Sequence, residues 1–377
     1  MKRQLQHQHQ LAPGDADEFA AALRDAAQAG KTVRFVGGGT KVLWGGQRDA
    51  DAEADAVEIS TLGLNEIREH NVGDLTAVLD AGVRLADAQA AFGAEGQMLA
   101  LDPPDDGATI GGMIATADSG PLRHRYGSVR DLVVGMTVAL SDGTIAKSGG
   151  KVIKNVAGYD LAKLFAGAYG TLGAILQVAV RLHPLAPATV TAVGRGEDPR
   201  AVAAAASALS HARLELECLD IRWEDGTGAV LARSGGAAAA EAAEHVSELL
   251  AAEGLEASVE DEDGALWDAQ RDAQRSEDGI VVRVSGLQDQ TALLLEQARE
   301  LDARVVGRAA FGLSWVTVTE PGYAERVREA LSPSPCAVLD GRGDLDAWGP
   351  RDPGALALAE RVRERFDPAG VCAPGLI

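Results

Sequence analysis

Two glycine-rich phrases carry the strongest chemical signal in this sequence. The first, Gly37-Gly-Gly-Thr40, follows the apolar segment 32–36. The second runs over 107–120 and contains Thr109-Ile-Gly-Gly112, followed by small residues. Because glycine tolerates positive φ and lets the backbone approach a ligand closely, such loops present N–H groups with little side-chain bulk. The pattern indicates an anion cradle, and phosphate is the group that it favours.

Basic residues follow the second phrase, namely Arg123, Arg125 and Arg130. His124 stands among them and is interpreted as an ordinary loop histidine. Further along, Lys151 and Lys154 flank another glycine-containing segment, where they could hold negative charge near a cofactor or be ordinary surface lysines. The residues alone do not decide between these two interpretations.

The elements that position the first loop are a helix predicted over 15–29 and a strand predicted over 32–36. The loop at 37–40 then lies at the strand's carboxyl end, where an α/β layer exposes backbone N–H groups; a flexible turn is the alternative. Further elements are predicted around the second phrase: strands over 56–60, 75–80, 131–140 and 174–182, helices over 85–92 and 161–165 with Asp160 as N-cap of the latter, and a hairpin turn at 141–144.

The first part of the chain lacks the signature of a nicotinamide-binding domain. No Gly-x-Gly-x-x-Gly phrase opens a helix with an acidic residue about twenty positions on. After Pro187 the composition shifts to alanine and acidic residues, and alternating strands and helices are predicted up to about residue 345. Helices segregated on one antiparallel sheet suit this order. The acidic stretch 256–262 is interpreted as a solvated face, and Trp223, Trp267 and Trp315 as core residues.

Composition narrows the classes of function. The chain has 377 residues, of which 46% are hydrophobic, so it can bury a large core. Its net charge of −21 argues against nucleic acid or an anionic membrane surface as a direct partner. The cysteines at 218, 336 and 372 are scattered, which predicts neither a metal or iron–sulfur site nor a disulfide framework. Residues 1–10 lack an apolar stretch and the longest apolar run, 201–209, is short, so we expect a soluble cytoplasmic protein.

Several phrases together resemble one family. They are Phe35-Val-Gly-Gly-Gly-Thr40, Ala108-Thr-Ile-Gly-Gly112, Lys154-Asn-Val-Ala-Gly-Tyr-Asp-Leu161, Tyr169-Gly-Thr-Leu-Gly-Ala-Ile175 and Phe366-Asp-Pro-Ala-Gly-Val-Cys-Ala-Pro-Gly375. They are similar to the FAD-binding domain of the vanillyl-alcohol-oxidase type, and the third is especially similar to the FAD-binding E subunit of bacterial glycolate oxidase. The last departs from the family at Ala373, where asparagine is usual.

The resemblance implies an α+β fold. It would consist of a two-part FAD-binding domain over 1–187, an antiparallel-sheet second domain over 188–345, and a segment at 346–377 that returns to the first domain. The FAD-binding residues it implies are Gly37, Gly38, Gly39, Thr40, Thr109, Ile110, Gly111, Gly112, Ser119, Gly120 and Ile175. Relatives that attach the flavin covalently carry histidine at the position of Gly39, so the FAD is expected to be non-covalent.

The resemblance also implies the reaction and the partners. It predicts a subunit of a complex that oxidises glycolate, a small 2-hydroxy acid, to glyoxylate, together with a larger FAD-binding subunit and an iron–sulfur subunit; any contact with the inner membrane would be made through those partners. The His-rich metal motif of relatives that bind substrate themselves is missing, and no catalytic base can be named. A stand-alone FAD dehydrogenase or oxidase acting on another alcohol or hydroxy acid, and an assembly module without flavin, stay open as alternatives.

Overall fold

The computed structural model describes residues 10–45, 56–104, 107–151, 159–341 and 345–373. Lys154, most of the phrase at 154–161 and the last residues of the phrase at 366–375 lie outside these ranges.

The first part of the chain begins with a small parallel sheet. Its strands, in the order β1-β3-β2, are β1 (Gln10–Leu11), β2 (Val33–Val36) and β3 (Val57–Ser60). Helix α1 (Ala16–Gln28) begins where the side chain of Asp15 accepts a hydrogen bond from the N–H of Glu18. The helix buries Phe19 and Leu23 at helical spacing, in one cluster with Ile59 of β3. This confirms the predicted helix and strand before the first glycine loop.

A five-stranded antiparallel sheet follows, in the order β4-β5-β9-β7-β8. Its strands are β4 (Ile67–Asn71), β5 (Thr76–Asp80), β7 (Val133–Ala139), β8 (Ile145–Gly149) and β9 (Ala174–Arg181). The short strands β6 (Gln97–Met98) and β10 (His183–Pro184) pair beside it. Its helices are α2 (Leu85–Gly93), α3 (Ile110–Thr116), α4 (Arg123–Tyr126), α5 (Val129–Leu132) and α6 (Ala162–Phe165).

The turn and the cap predicted in this sheet have opposite outcomes. The N–H of Leu140 donates to the carbonyl of Thr144 at 2.9 Å, and Gly143 adopts a φ of +79°, so the hairpin turn between β7 and β8 is confirmed. The prediction that Asp160 caps α6 is wrong. Leu161 occupies the N-cap position without a side-chain cap, and the Asp160 carboxylate instead lies 3.5 Å from the ammonium of Lys163.

The second part of the chain is built on one eight-stranded antiparallel sheet, in the order β14-β11-β13-β12-β16-β17-β15-β18. Its strands are β11 (Thr189–Gly196), β12 (Leu216–Glu224), β13 (Thr227–Gly235), β14 (Glu256–Glu260), β15 (Ile280–Ser285), β16 (Arg304–Arg308), β17 (Leu313–Val318) and β18 (Cys336–Asp340). The helices are α7 (Pro199–His211), α8 (Ala239–Ala252), α9 (Gly264–Asp272), α10 (Thr291–Glu300) and α11 (Pro321–Leu331). Helices α7, α8, α10 and α11 share one apolar core with the sheet.

The structure adds elements that sequence patterns did not indicate. The acidic stretch 256–262 contains the edge strand β14, whose charges keep the free edge soluble. Helix α9 and strand β18 were also missed. The three tryptophans predicted to be core residues are no more than 2% exposed, which confirms that prediction.

The end of the chain hydrogen-bonds to the first sheet. After helix α12 (Pro353–Phe366), the N–H of Val33 donates to the carbonyl of Val371 at 2.8 Å, and the N–H of Ala373 donates to Val33 at 2.9 Å. The carboxylate of Asp367 holds this segment by accepting from the N–H groups of Val371 and Cys372. The domain boundaries at 187 and 345 stay a prediction.

Candidate functional site

A cleft opens between the first glycine loop, the start of α3 and the segment before β9. The space between its walls is about 910 Å³, the part open to solvent included. Its lining includes eight of the eleven residues predicted to bind FAD, namely Gly37, Gly38, Gly39, Thr40, Thr109, Gly111, Gly112 and Ile175. Two segments far apart in the sequence therefore meet at one cleft.

The loop at 37–40 presents backbone donors to this cleft. In the part of the chain that the structure describes, its N–H groups donate no hydrogen bond to another protein atom. Gly39 adopts a φ of +75°, and a Cβ atom built on it would meet only open space. Successive N–H groups pointing into a concave loop favour an anion, so the loop fits a diphosphate.

Close packing fixes the loop against the second glycine phrase. A Cβ on Gly37 would lie 2.1 Å from the Thr109 hydroxyl oxygen, and one on Gly38 would lie 1.8 Å from the carbonyl oxygen of Gly107. A side chain at Gly37 would have to displace the Thr109 side chain, and one at Gly38 would have to displace the backbone of Gly107. The glycines therefore set the distance between the two walls of the cleft.

The phrase 109–112 has a different task from the one its composition suggests. It forms the first turn of α3, and the Thr109 hydroxyl accepts from the N–H of Gly112 at 3.3 Å. The N–H groups of Ile110 and Gly111 donate to the carbonyls of Val83 and Ala81, at 2.9 and 2.8 Å. These donors are used inside the protein, so the free donors in the cleft come from the first loop.

Three predicted residues lie outside the cleft lining. Ile110 is fully buried in the core beneath α3. Ser119 is buried, its carbonyl accepts from the Gln274 amide at 3.1 Å, and its hydroxyl lacks a partner. Gly120 packs on Asp102, whose carbonyl oxygen a Cβ would approach to 1.8 Å. Ser119 therefore contacts the second part of the chain through Gln274, whereas Gly120 packs within the first part.

A buried ion pair that the sequence analysis missed stands beside the loop. The Lys41 ammonium, which lines the cleft, lies 3.1 Å from the Asp118 carboxylate, and both side chains are at most 6% exposed. Burial raises the pKa of Asp118, while the positive charge of Lys41 opposes the rise. Lys151, by contrast, is exposed and pairs with Glu69, as an ordinary surface lysine does.

Arg275 connects the loop to the eight-stranded sheet. Its guanidinium donates to the carbonyl of Thr40 at 3.2 Å and to both carboxylate oxygens of Asp340, at 2.6 and 3.0 Å. The same guanidinium lies 5.2 Å from the ring of Trp44, whose indole N–H donates to Asp340 at 3.3 Å. The sheet thus holds the carboxyl end of the glycine loop.

Unpartnered polar atoms mark the region where the sheet faces the cleft. In the described ranges the buried atoms without a hydrogen-bond partner include Ser119 Oγ, His124 Nδ1, Tyr169 Oη, Arg283 Nε and Arg308 Nε. Burial, followed by the nearby charge of Arg125, lowers the pKa of His124, so its imidazole is neutral at pH 7. His124 lies in α4, with its ring 6.2 Å from that of Phe311. It is therefore more enclosed than the loop histidine expected from the sequence.

Within the described residues, no group of three or more His, Cys, Asp or Glu side chains is placed to bind a metal ion. Each of the three cysteines is buried and free. The same part of the chain contains no helix long and apolar enough to cross a membrane.

Comparison with known proteins finds a family match for a segment of the first part of the chain. Residues 8–149 match the model of the FAD binding domain family. The glycolate oxidase subunit GlcE of Escherichia coli is 42% identical over 113 residues, which are 29% of this chain and 32% of that protein. The subunit GlcD of Bacillus subtilis is 34% identical over 215 residues, 56% of this chain and 45% of that protein. A D-lactate dehydrogenase of Archaeoglobus fulgidus is 34% identical over 172 residues, 46% and 38% of the two chains.

Solved structures confirm the fold. The chain superimposes on alkyldihydroxyacetonephosphate synthase with a TM-score of 0.73 and 13% identity, over 97% of this chain and 75% of the other. The α+β fold of the vanillyl-alcohol-oxidase type expected from the resemblance is therefore correct. The matched segments span about a third to a half of the length of the curated relatives.

Proposed function

We propose that this chain, which carries an FAD-binding domain, is the FAD-binding subunit of a complex that oxidises glycolate, or a closely similar 2-hydroxy acid, to the 2-oxo acid. The observation that carries this proposal is the cleft, where a loop with free N–H groups lies inside the segment that matches the FAD family. The protein would act in the cytoplasm, and any contact with the inner membrane would be made through its partner subunits.

The described residues fit FAD. The N–H groups of 37–40 would hold the diphosphate, and the buried Lys41 would add positive charge at the same wall. Ile175 offers an apolar contact further along the cleft for the adenine. Gly39 provides no side chain for a covalent bond to the flavin, so binding would be non-covalent.

In the reaction, C2 of the hydroxy acid loses a hydride and its hydroxyl loses a proton. Bound FAD supplies the chemistry that accepts the hydride. The chain's own residues have three tasks: to hold the cofactor in one place, to hold the substrate carboxylate, and to exclude water between the cleft and the large sheet. Electrons would then leave to another subunit, because the cysteines at 218, 336 and 372 are separately buried and offer no cluster ligands.

The names of the relatives support a multi-subunit assembly. Two proteins similar to this chain, from Escherichia coli and Bacillus subtilis, are named as glycolate oxidase subunits. We propose as partners a larger FAD-binding subunit and an iron–sulfur subunit. The second candidate is a stand-alone FAD-dependent dehydrogenase or oxidase of another alcohol or hydroxy acid, which the similarity to D-lactate dehydrogenases favours.

Activity of the isolated chain separates the two candidates. FAD-loaded protein would be assayed with glycolate and D-lactate and an artificial dye acceptor, alone and after co-expression with the two candidate partner subunits. We expect efficient turnover only in the complex. Equal turnover by the isolated chain would reject the subunit proposal and favour the stand-alone dehydrogenase, whereas a chain that never binds FAD would reject both.

A further inference from the structure

Arginines line the face of the eight-stranded sheet that lies opposite helices α7, α8, α10 and α11. Arg283 on β15 pairs in register with Trp315 on β17, and the guanidinium carbon of Arg308 on β16 lies 4.9 Å from the Trp315 ring. Alternation along the strands places these three side chains on one face. Trp315 packs there with Tyr169, which also lines the cleft. The arginine face and the cofactor cleft therefore adjoin.

One of the arginines has its own counter-ion. Arg308 donates to the Asp220 carboxylate at 2.5 Å, and both side chains are completely buried. It also donates to the Gln274 amide oxygen. A buried pair with such geometry neutralises itself, so Arg308 forms part of the wall.

Arg123 and Arg283 have no such partner. In the described part of the chain, neither guanidinium has a carboxylate oxygen within 4.0 Å, and Asp131 acts on Arg123 only at longer range. Arg123, on α4, lies 5.7 Å from the ring of Phe311, in the turn between β16 and β17. The turn that contains Phe311 directly follows β16, the strand that carries Arg308. Burial lowers the pKa of Arg123, and the charges of Arg308 and Arg283 lower it further.

Tyr169 lies beside these arginines, on the side of the cofactor cleft. Its buried hydroxyl has no hydrogen-bond partner, and burial raises its pKa. The guanidinium of Arg283 is close enough to oppose that rise. Arg283 Nε is itself buried without a partner. The Tyr169 hydroxyl thus faces Arg283, and Arg283 Nε has no acceptor of its own. Because a buried donor without an acceptor is costly, an acceptor oxygen is favoured at this place.

We propose that Arg123 and Arg283 bind the carboxylate of the 2-hydroxy acid substrate, with the Tyr169 hydroxyl as a further donor. The inference rests on the proposed function and deepens it, because it names the cation that the reaction needs. It also divides the site between the two parts of the chain, since Arg123 precedes and Arg283 follows the predicted boundary at 187. A planar guanidinium matches a carboxylate with two parallel hydrogen bonds.

The local charge at the arginine face favours an anionic ligand. The chain has 56 acidic residues against 35 lysines and arginines, and yet neither of the two partly buried arginines at this face has a carboxylate within 4.0 Å in the described residues; Asp131 acts on Arg123 from further away. The diphosphate of FAD would lie elsewhere, at the loop 37–40. The arginines are therefore available to a second anion.

The test uses oxalate, a dicarboxylate that carries no hydrogen to transfer. Holo-protein would be titrated with oxalate while the visible spectrum of the flavin is recorded, and the thermal midpoint would be measured in parallel. We expect saturable changes in both for the wild type. Arg283→Met and Arg123→Met should each bind oxalate about 10- to 100-fold more weakly, the range expected for losing a hydrogen bond to a charged group. Arg283→Lys, which keeps the charge but loses the fork, should fall between.

The matched control is Arg195→Met, on β11 of the same sheet, where the exposed guanidinium contacts Ser258. This variant should bind oxalate as the wild type does. Unchanged oxalate affinity in the Arg283 and Arg123 variants would overturn the inference, as would equal affinity of the wild type for phosphate. A different result would reject the proposed function alone. In that case no 2-hydroxy acid would reduce the flavin, even with the partner subunits present, while oxalate binding would still depend on both arginines. The carboxylate site would then be supported and the proposed reaction rejected.

Discussion

Gly111 offers the sharpest test of how the cleft is built. It lies in the first turn of α3, where a Cβ atom would come within 2.7 Å of the Ala81 Cβ and 3.0 Å of the Ala81 carbonyl oxygen. Its N–H donates to that same carbonyl at 2.8 Å. The glycine is therefore required for the helix to contact the residue after β5, rather than for direct approach of the cofactor. We expect Gly111→Ala to destabilise the protein and to reduce its FAD content.

The expected loss of stability in Gly111→Ala combines two opposing contributions. Overpacking a tight contact typically costs about 1–3 kcal/mol, whereas alanine in place of glycine gains up to about 1 kcal/mol of helix propensity. The net loss should be about 1–2 kcal/mol, which corresponds to roughly 2–8 °C in the thermal midpoint for a domain of this size. Gly111→Val adds two further methyl groups against the same wall and should abolish FAD binding.

A double-mutant cycle identifies the cause. Ala81→Gly removes the nearer clashing atom at a backbone cost of about 0.5–1 kcal/mol. Thermal unfolding of the apo-protein and flavin stoichiometry would be measured for the wild type, both single variants and the pair. The effect of Gly111→Ala should shrink by about 1 kcal/mol when residue 81 is glycine. An equal effect in both backgrounds would refute the packing argument, as would a loss of flavin with no change in the midpoint.

Two further predictions concern the cofactor and its wall. Acid precipitation of the yellow holo-protein should release all flavin into the supernatant, because Gly39 has no side chain to bond it; flavin retained in the pellet would reject non-covalent binding. Lys41→Met should cost about 3–5 kcal/mol in chemical denaturation by leaving the buried Asp118 unpaired, while Lys41→Met combined with Asp118→Leu should recover most of that loss. A double variant as unstable as the single one would show that the pair itself is not the cause.

The glycine loops could be located from the sequence because local chemistry determines them. Gly37 to Thr40 follow a strand that is recognisable by itself, and backbone donors at its end need no distant residue to become visible. The detailed role of 109–112 could not be predicted. Whether an N–H at the start of a helix faces a ligand or a neighbouring carbonyl depends on Ala81 and Val83, which lie some thirty residues earlier.

The arginine face could not be predicted from the sequence for the same reason. Arg123 and Arg283 lie far apart in the sequence, on opposite sides of the predicted boundary at 187. Only the pairing of β15 with β17 brings Arg283 next to Trp315 and toward the cleft. Strand β18 was missed, although it forms the edge of the sheet beside β15. The absence of a histidine motif suggested that the second part had no means of holding substrate. The arginines provide a cation without histidines.

The two candidate sites are joined by Arg275, and this has a thermodynamic consequence. Arg275 donates to the carbonyl of Thr40 at the end of the glycine loop and to Asp340 at the end of β18, so the sheet adds to the packing against Gly107 and Thr109 that holds the loop. Anything that binds the loop in this arrangement must also favour the contact between sheet and cleft, because a ligand stabilises the state that it binds. That contact is what places Arg283 opposite Arg123. FAD binding should therefore help to assemble the carboxylate site, to which Tyr169 of the cleft lining also belongs.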